Sequence, residues 1–487
     1  VTQEERKAFF SPSQQRPLDK KAIKGIVRKM EYEHLFGAYD IRGKVGPELD
    51  SRKARAIAAA YGNYLCPKRP GLFLVGHDPR LSSPALAEAV SVGLREEGHD
   101  VVHIGLATTP LVYWYGAEGK FDGSVGVTAS HLHPEYNGLK LCERDAKPLS
   151  GSHGLPEILA ALKNPSNSPS RPISHLLERR SPVPLYAARL RQRLNPARPL
   201  KLAVDAGNGA GGVEAAAVLS PFDPLQVWRL NFHPDGLFPS RSSNPLEEGA
   251  LAGLSQTVKT NNLDFGLAFD GDADRAVALD EQGQLAPPDA VGGLIALHLL
   301  KDHPGATILY DLRASRALPE VIEAAGGHPV RTRVGHAFIK PAMRQQQAIF
   351  AMELSGHYYY ADLHYTDNGL RTLIELINLV SAERAPLSEM LAPFQKYPSS
   401  GEMNFKVSDT DRVLKALEAD YQDAKIDHLD GLSVDYPDWW FNARASHTEP
   451  LLRLNIGATS QSRLEQESKS LLSRLDRLVK KTRGEGG

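Results

Sequence analysis

Short apolar runs alternate with alanine- and leucine-rich stretches through the first three quarters of the chain. GLFLVGHD (71–78) is followed by ALAEAVSVGLREEG (85–98), DVVHIG (100–105) and a segment opening TTPLVYWYG (108–116). Such alternation predicts βαβ units and a parallel or mixed sheet. It restarts at KLAVDAGNGAGG (201–212) and again after Gln284, with VGGLIALHLL, ATILYDL and ALPEVIEAA in turn. From about residue 397 the texture changes to polar, alternating strands closed by a charged helix, LEQESKSLLSRLDRLVKK (464–481). The pattern predicts three similar mixed-sheet α/β domains and a smaller, different C-terminal α+β domain. Expected boundaries are an N-terminal extension over 1–33, then domains over 34–172, 173–284, 285–396 and 397–487. KNPSNSPSRP (163–172) reads as a linker, and the basic extension as a solvated tail rather than a partner-binding arm.

Composition agrees with several domains, because a single core seldom grows beyond about 300 residues and the chain has 487. With 57 basic and 58 acidic side chains the formal charge is -1, so no global field draws the protein to nucleic acid or an anionic membrane. Any anion site must be local. Two cysteines without metal-like spacing, no long apolar run and no secretory signal lead to the expectation of a cytoplasmic protein.

The densest chemical signal is FDGDADR (269–275). Asp270, Asp272 and Asp274 place three carboxylates within five residues, and spacing of two lets an extended segment aim them to one side. Oxygen-only ligands favour Mg²⁺ or Ca²⁺. The spacing of these aspartates with Glu281 also matches a calcium loop, but Arg275 stands where that loop needs glycine, and the flanks read as strands. A Mg²⁺ site is therefore expected. Gly207-Asn-Gly-Ala-Gly-Gly212 matches a dinucleotide-binding fingerprint formally; with no acidic residue closing a second strand about 20 residues on, it reads as a tight strand-to-helix turn.

Three further segments gather polar groups. GVTASHLHPEYNGLK (126–140) holds Ser130, His131 and Lys140 in or beside a loop, without the G-x-S-x-G of a hydrolase elbow. AMELSGH (351–357) offers Glu353, Ser355 and His357 to sugar hydroxyls. ARASHTEPLLR (443–453) collects Arg444, Ser446, His447, Thr448 and Arg453 around a turn, the donor types that a phosphate dianion needs.

Together with FGAYDIRG (36–43), and in this order, these segments resemble the α-D-phosphohexomutase superfamily, closest to its bacterial phosphomannomutase/phosphoglucomutase branch. The resemblance runs from about residue 34 to the C-terminus. It implies four domains around a central cleft and reversible phosphoryl transfer between C1 and C6 of hexose phosphates, glucose and mannose alike, through a phosphoserine and a hexose 1,6-bisphosphate. It implies that Ser130 carries the phosphoryl group and joins Asp270, Asp272 and Asp274 around Mg²⁺, and that Arg275 neutralises the moving group. Arg42, Lys140, His336 and His131 are implied in proton transfer and catalysis. Tyr39, Arg313, Gly335, Glu353, Ser355, His357, Arg444, Ser446, His447, Thr448 and Arg453 are implied in holding the substrate. Glucose 1,6-bisphosphate is the implied activator. Hexose phosphates are the expected partners, with no nucleic acid or membrane, in a monomer or weak homodimer. The chain departs from the usual family pattern at Leu132, His133, Ala273, Arg313 and His447. A phosphoglucosamine mutase, a Mg²⁺-dependent sugar phosphatase and a non-catalytic sugar-phosphate binder are the rival readings.

Overall fold

The computed structural model describes residues 32–163, 171–220, 224–446 and 451–482. The N-terminal arm and most of KNPSNSPSRP lie outside the described residues. Four sheets follow one another along the chain. In the first, the parallel strands Gly123–Val127, Leu72–His77 and Asp100–Leu106 continue into antiparallel Tyr136–Glu143 and Ile41–Lys44. This sheet takes a further parallel strand, Leu177–Arg179, from beyond residue 172.

The second sheet runs Ala276–Leu279, Phe265–Phe269, Leu200–Asp205, Leu225–Leu230, with only the first pairing antiparallel. The third runs His328–Thr332, Thr307–Asp311, Phe350–Met352, Tyr358–Tyr360, Thr366–Asp367, parallel and then antiparallel. The fourth is antiparallel throughout: Ser399–Lys406, Leu451–Ala458, Trp439–Ala445, Leu432–Asp435, Lys425–Asp427. Parallel pairing demands crossovers, so helices intervene between the parallel strands of the first three units, whereas the antiparallel strands Lys425–Asp427, Leu432–Asp435 and Trp439–Ala445 of the fourth follow one another with no helix between them.

Helix Ser51–Leu65 shows the local logic. Asp50 caps it by accepting from the Lys53 amide (2.8 Å), and Ala54, Ile57, Ala58 and Tyr61 form its buried stripe. Helix Thr109–Glu118 is apolar all round and buried from Thr109 to Ala117, as its sequence requires.

The cores divide unevenly. Side chains from all three mixed-sheet units, among them Leu74, Trp114, Leu202, Phe265, Ile308 and Ile374, form one continuous cluster. The fourth sheet and helix Gln461–Thr482 enclose a separate core around Leu417, Phe441, Leu454, Leu471 and Leu475. Contacts between third and fourth units include Arg316 to Asp435 (2.5 Å), the Val334 amide to Asp430 (3.2 Å), and Arg316 over the Trp440 ring at 3.8 Å. Such a polar junction can open without exposing a core.

Candidate active site

Ser130 lies three residues past the strand Gly123–Val127, in the left-handed region at φ 51°, where a non-glycine residue costs about 1–2 kcal/mol. A buried frame holds it there. Its amide donates to Thr128 Oγ1 (2.8 Å), Thr128 Oγ1 donates to Asp78 (2.7 Å), and Arg80 donates to the carbonyl of Ser130 (2.8 Å). The Arg80 guanidinium also serves the carbonyls of Leu132, His133 and Tyr136 and pairs with Asp78 at 2.9 Å, with no exposed surface.

The three aspartates are not on an extended segment, as their spacing suggested. They lie in a tight turn after strand Phe265–Phe269, with Ala273 at φ 56°. Curling, not strand alternation, makes the carboxylates converge, and it explains why glycine suits the position that Ala273 fills. The turn is wedged between two others. A Cβ at Gly271 would meet the Ser130 carbonyl at 2.5 Å, and one at Gly209 would meet the Gly271 carbonyl at 2.5 Å. The Gly207–Gly212 segment thus supports the aspartate turn as a strand-to-helix corner.

These turns bring Ser130 Oγ within 3.0 Å of Asp270 Oδ2 and 3.1 Å of His131 Nδ1. Asp270, Asp272 and Asp274 are buried, with one ligand atom each inside a 4.8 Å group. Lys140 donates to Asp272 (2.8 Å) and Asp274 (2.5 Å), and Thr109 Oγ1 to Asp272 (2.6 Å). Burial, then the charges of Asp274 and Asp272, push Asp270 well above the ordinary carboxyl range. For Asp274 burial is outweighed by Lys140 and His357, and its pKa falls to about 2. Burial opposes the charged form of Lys140, but Asp272 and Asp274 more than offset it and raise its pKa. Asp272 Oδ1 and Asp274 Oδ1 are buried without a hydrogen-bond partner. Unpartnered oxygens in an acidic group fit a hard divalent cation. Glu281, which the calcium-loop spacing would enlist, instead accepts from Ser388 (2.5 Å).

Around this centre, Arg275 donates from Nε to His357 Nε2 (2.9 Å) and lies 3.8 Å from Asp270. His357 Nδ1 is 3.2 Å from Asp367, which Lys340 approaches at 2.9 Å. Arg42 pairs with Asp40 at 2.7 Å; burial opposes its charge, yet Asp40, Asp272 and Asp274 raise its pKa. Burial, followed by Arg275 and Arg42, depresses His131, and burial, followed by Lys340, depresses His336.

A connected series of contacts leads to the other end. Tyr39 packs on His336 with centroids 5.5 Å apart and donates to the Val334 carbonyl (3.2 Å). Glu353 accepts from the Gly335 amide (2.9 Å) and from Tyr359, and its own amide donates to the His357 carbonyl (2.9 Å). Ser355 is half-buried in the same loop. Arg313 is bound by Asp311 (2.7 Å), lies 3.9 Å from Glu353, and reaches Glu402 at 3.2 Å. Glu402 also receives Arg444 (2.7 Å) and Arg453 (3.3 Å). The Ser446 amide donates to the Leu451 carbonyl (2.8 Å). His447 and Thr448 lie outside the described residues.

Among the residues at this site that escaped the sequence reading are Asp78, Arg80, Lys340, Asp367 and Glu402. The first two had a cue, because DPRLSS follows strand Leu72–His77 at the carboxyl edge of a parallel sheet, where α/β sites lie.

Known proteins resemble the chain over most of its length. Four family profiles match in chain order: phosphoglucomutase/phosphomannomutase α/β/α domain I (33–168), domain II (184–283), domain III (287–397) and the C-terminal domain (402–472). A phosphomannomutase of Methanocaldococcus jannaschii is 37% identical over 447 residues, covering 91% of this chain and 98% of the relative. A protein of Xanthomonas campestris named for phosphohexose mutases is 38% identical, covering 90% and 98%. The crystal structure of a phosphoglucomutase/phosphomannomutase family protein from Burkholderia thailandensis superposes with a TM-score of 0.85 at 31% identity, covering 92% of this chain and 98% of that one. With all four domains matched in order and relatives spanning nine-tenths of its length, the chain belongs to the phosphoglucomutase/phosphomannomutase family.

Proposed function

We propose that the chain is a phosphohexomutase that moves a phosphoryl group reversibly between C1 and C6 of hexose phosphates, with Ser130 as the carrier. The observation that bears most weight is the 3.0 Å contact of Ser130 Oγ with a buried aspartate trio, joined by side-chain contacts to a separate arginine cluster. A mutase must hold one phosphate while the other reacts, and a phosphatase has no use for the second grip. Asp270, Asp272 and Asp274, with a phosphate oxygen on Ser130, are the residues that would hold Mg²⁺, which when bound offsets charge on the phosphoryl oxygens.

In the first half-reaction the bond from Ser130 Oγ to phosphorus breaks as one forms from O1 or O6 of the sugar, giving a hexose 1,6-bisphosphate. The bisphosphate turns around, and Ser130 Oγ takes the other phosphoryl group. Ser130 Oγ must take up a proton as it leaves and give one up when it is phosphorylated again, and His131 Nδ1, 3.1 Å away, is in reach to exchange it. Arg275, oriented by His357, faces the phosphoryl group; Glu353 and Ser355 read sugar hydroxyls; Arg313, Arg444 and Arg453 hold the phosphate at rest. Arg42, Lys140 and His336 are assigned to proton transfer with the sugar. Water at about 55 M competes as acceptor unless alignment supplies an effective molarity of roughly 10⁵ M or more, so closure of the fourth domain over the substrate is part of the proposal.

We further assign glucose 1,6-bisphosphate as activator, and place the enzyme in the cytoplasm as a monomer or weak homodimer. The test is a coupled assay of glucose 6-phosphate formed from glucose 1-phosphate, with Mg²⁺ and a trace of the bisphosphate. Wild type should turn over and Ser130→Ala should not; equal rates would end the proposal. Parallel assays with mannose 1-phosphate and glucosamine 1-phosphate separate the hexose reading from the aminosugar one.

A further inference from the structure

In the fourth sheet, Arg444 and Arg453 lie directly opposite each other on neighbouring antiparallel strands. Like charges in that register repel, and Arg444 is buried, with 2% of its surface exposed. Arg313 adds a third guanidinium from the adjoining domain. The carboxylate that all three share is Glu402, on strand Ser399–Lys406, opposite Asn455 and so on the same face as Arg453 two residues away; Arg313 is held by Asp311 as well. The two oxygens of Glu402 divide the work. Oε2 accepts from Arg313 (3.2 Å) and Arg444 (2.7 Å), and Oε1 from Arg453 (3.3 Å). Despite burial, Arg313, Arg444 and Arg453 hold this carboxyl below its usual range.

An anion bound by three guanidinium forks is the arrangement in which a phosphate dianion would sit. We propose that Glu402 is the resident counter-ion of the phosphate grip, an internal competitor that keeps the three arginines together while no substrate is bound and releases them, wholly or in part, to the non-reacting phosphate. This rests on the reading that the cluster grips that phosphate. It also gives the residue a purpose in turnover. The same grip must take one end of the bisphosphate, let it go and take the other, and a resident carboxylate assists each release by replacing the departing anion.

The measurement is calorimetric binding of inorganic phosphate, with glucose 6-phosphate alongside, to wild type, Glu402→Gln, Glu402→Asp and Arg444→Ala. With the competing charge gone, Glu402→Gln should bind phosphate about 10-fold more tightly, and kcat should fall together with KM because release is slowed. Glu402→Asp keeps the charge with shorter reach and should fall between the two, and it carries the test should Glu402→Gln not fold. Binding unchanged or weaker in the glutamine variant, or in the aspartate variant if that alone folds, overturns the inference, because a merely structural carboxylate would loosen the grip when neutralised. Arg444→Ala distinguishes the two levels. If it leaves phosphate binding unaltered, the reading of the cluster as the phosphate grip fails; if it weakens binding while Glu402→Gln does not tighten it, only the role of Glu402 fails.

Discussion

The serine end and the arginine end of the site are built with opposite charges and the same solution. At one, Lys140 bridges two of three buried carboxylates, Asp272 and Asp274, while Arg275 lies 3.8 Å from the third; at the other, Glu402 accepts from three guanidiniums, one of which, Arg313, is also held by Asp311. Buried charge of one sign is costly without a partner, so each end carries a part of its own neutralisation before any ion or substrate arrives. The ends differ in anchorage. The carboxylates sit on turns packed between units that share one core, whereas Arg444, Arg453 and Glu402 stand on a sheet with its own core, joined to the third unit by polar contacts. The chemistry is thus assigned to the fixed end and the reversible holding to the end that can move.

Removing the carrier breaks the comparison most severely. Ser130→Ala should lower kcat by on the order of 10⁴-fold or more while inorganic phosphate still binds at the arginine end, which calorimetry can check. Next comes the frame behind the serine. Arg80→Met leaves Asp78 buried without its counter-ion and takes a donor from four carbonyls, of which those of Leu132 and His133 keep the Ser243 hydroxyl and the Tyr136 amide, an expected cost of about 3–5 kcal/mol in urea unfolding. The loss should appear in the serine-bearing domain first.

At the other end, Arg444→Ala should raise KM by roughly 10²-fold, about 2.7 kcal/mol, and raise hydrolysis relative to transfer as closure loosens. An unchanged KM and an unchanged transfer-to-hydrolysis ratio would contradict that assignment. The smallest effect is a slope against pH. Burial, with Arg171 and Arg179 respectively, holds His99 and His103 down at about 4. The unfolded chain therefore binds more protons than the folded one between about pH 6.5 and 4, and stability present above that window is lost as pH falls through it. About 2 kcal/mol per histidine should be gone by pH 5. Both histidines belong to the first domain, so amide exchange should accelerate there between pH 7 and pH 5 more than in the fourth sheet.

Much of this was legible in the sequence where chemistry clusters locally. The alternating runs mark the layered units, and three aspartates in five residues mark the acidic cluster. Residues that act across long separations were not legible. Arg80 serves carbonyls some fifty positions away, and nothing in the few residues around it foretells those partners. Glu402 is one polar position in an alternating strand, where a solvated side chain is the default reading. Lys340 left a trace: with Ile339 and Met343 buried on helix His336–Gln346, a lysine on an inward face implies an acidic partner. The geometry of the aspartate turn misled for a different reason, since residue spacing does not reveal backbone sign, and only the positive φ of Ala273 shows how the chain curls.

The parts of the site are scattered along the chain at Ser130, Asp270, Glu353 and Arg444, one to each folded unit. A ribosome must therefore deliver nearly all of the polypeptide before any substrate can be held at both phosphates. A chain grown only through the third unit already holds Ser130, the acidic turn and Glu353 but not Arg444, so the proposed grip on the resting phosphate is the last part of the site to arrive.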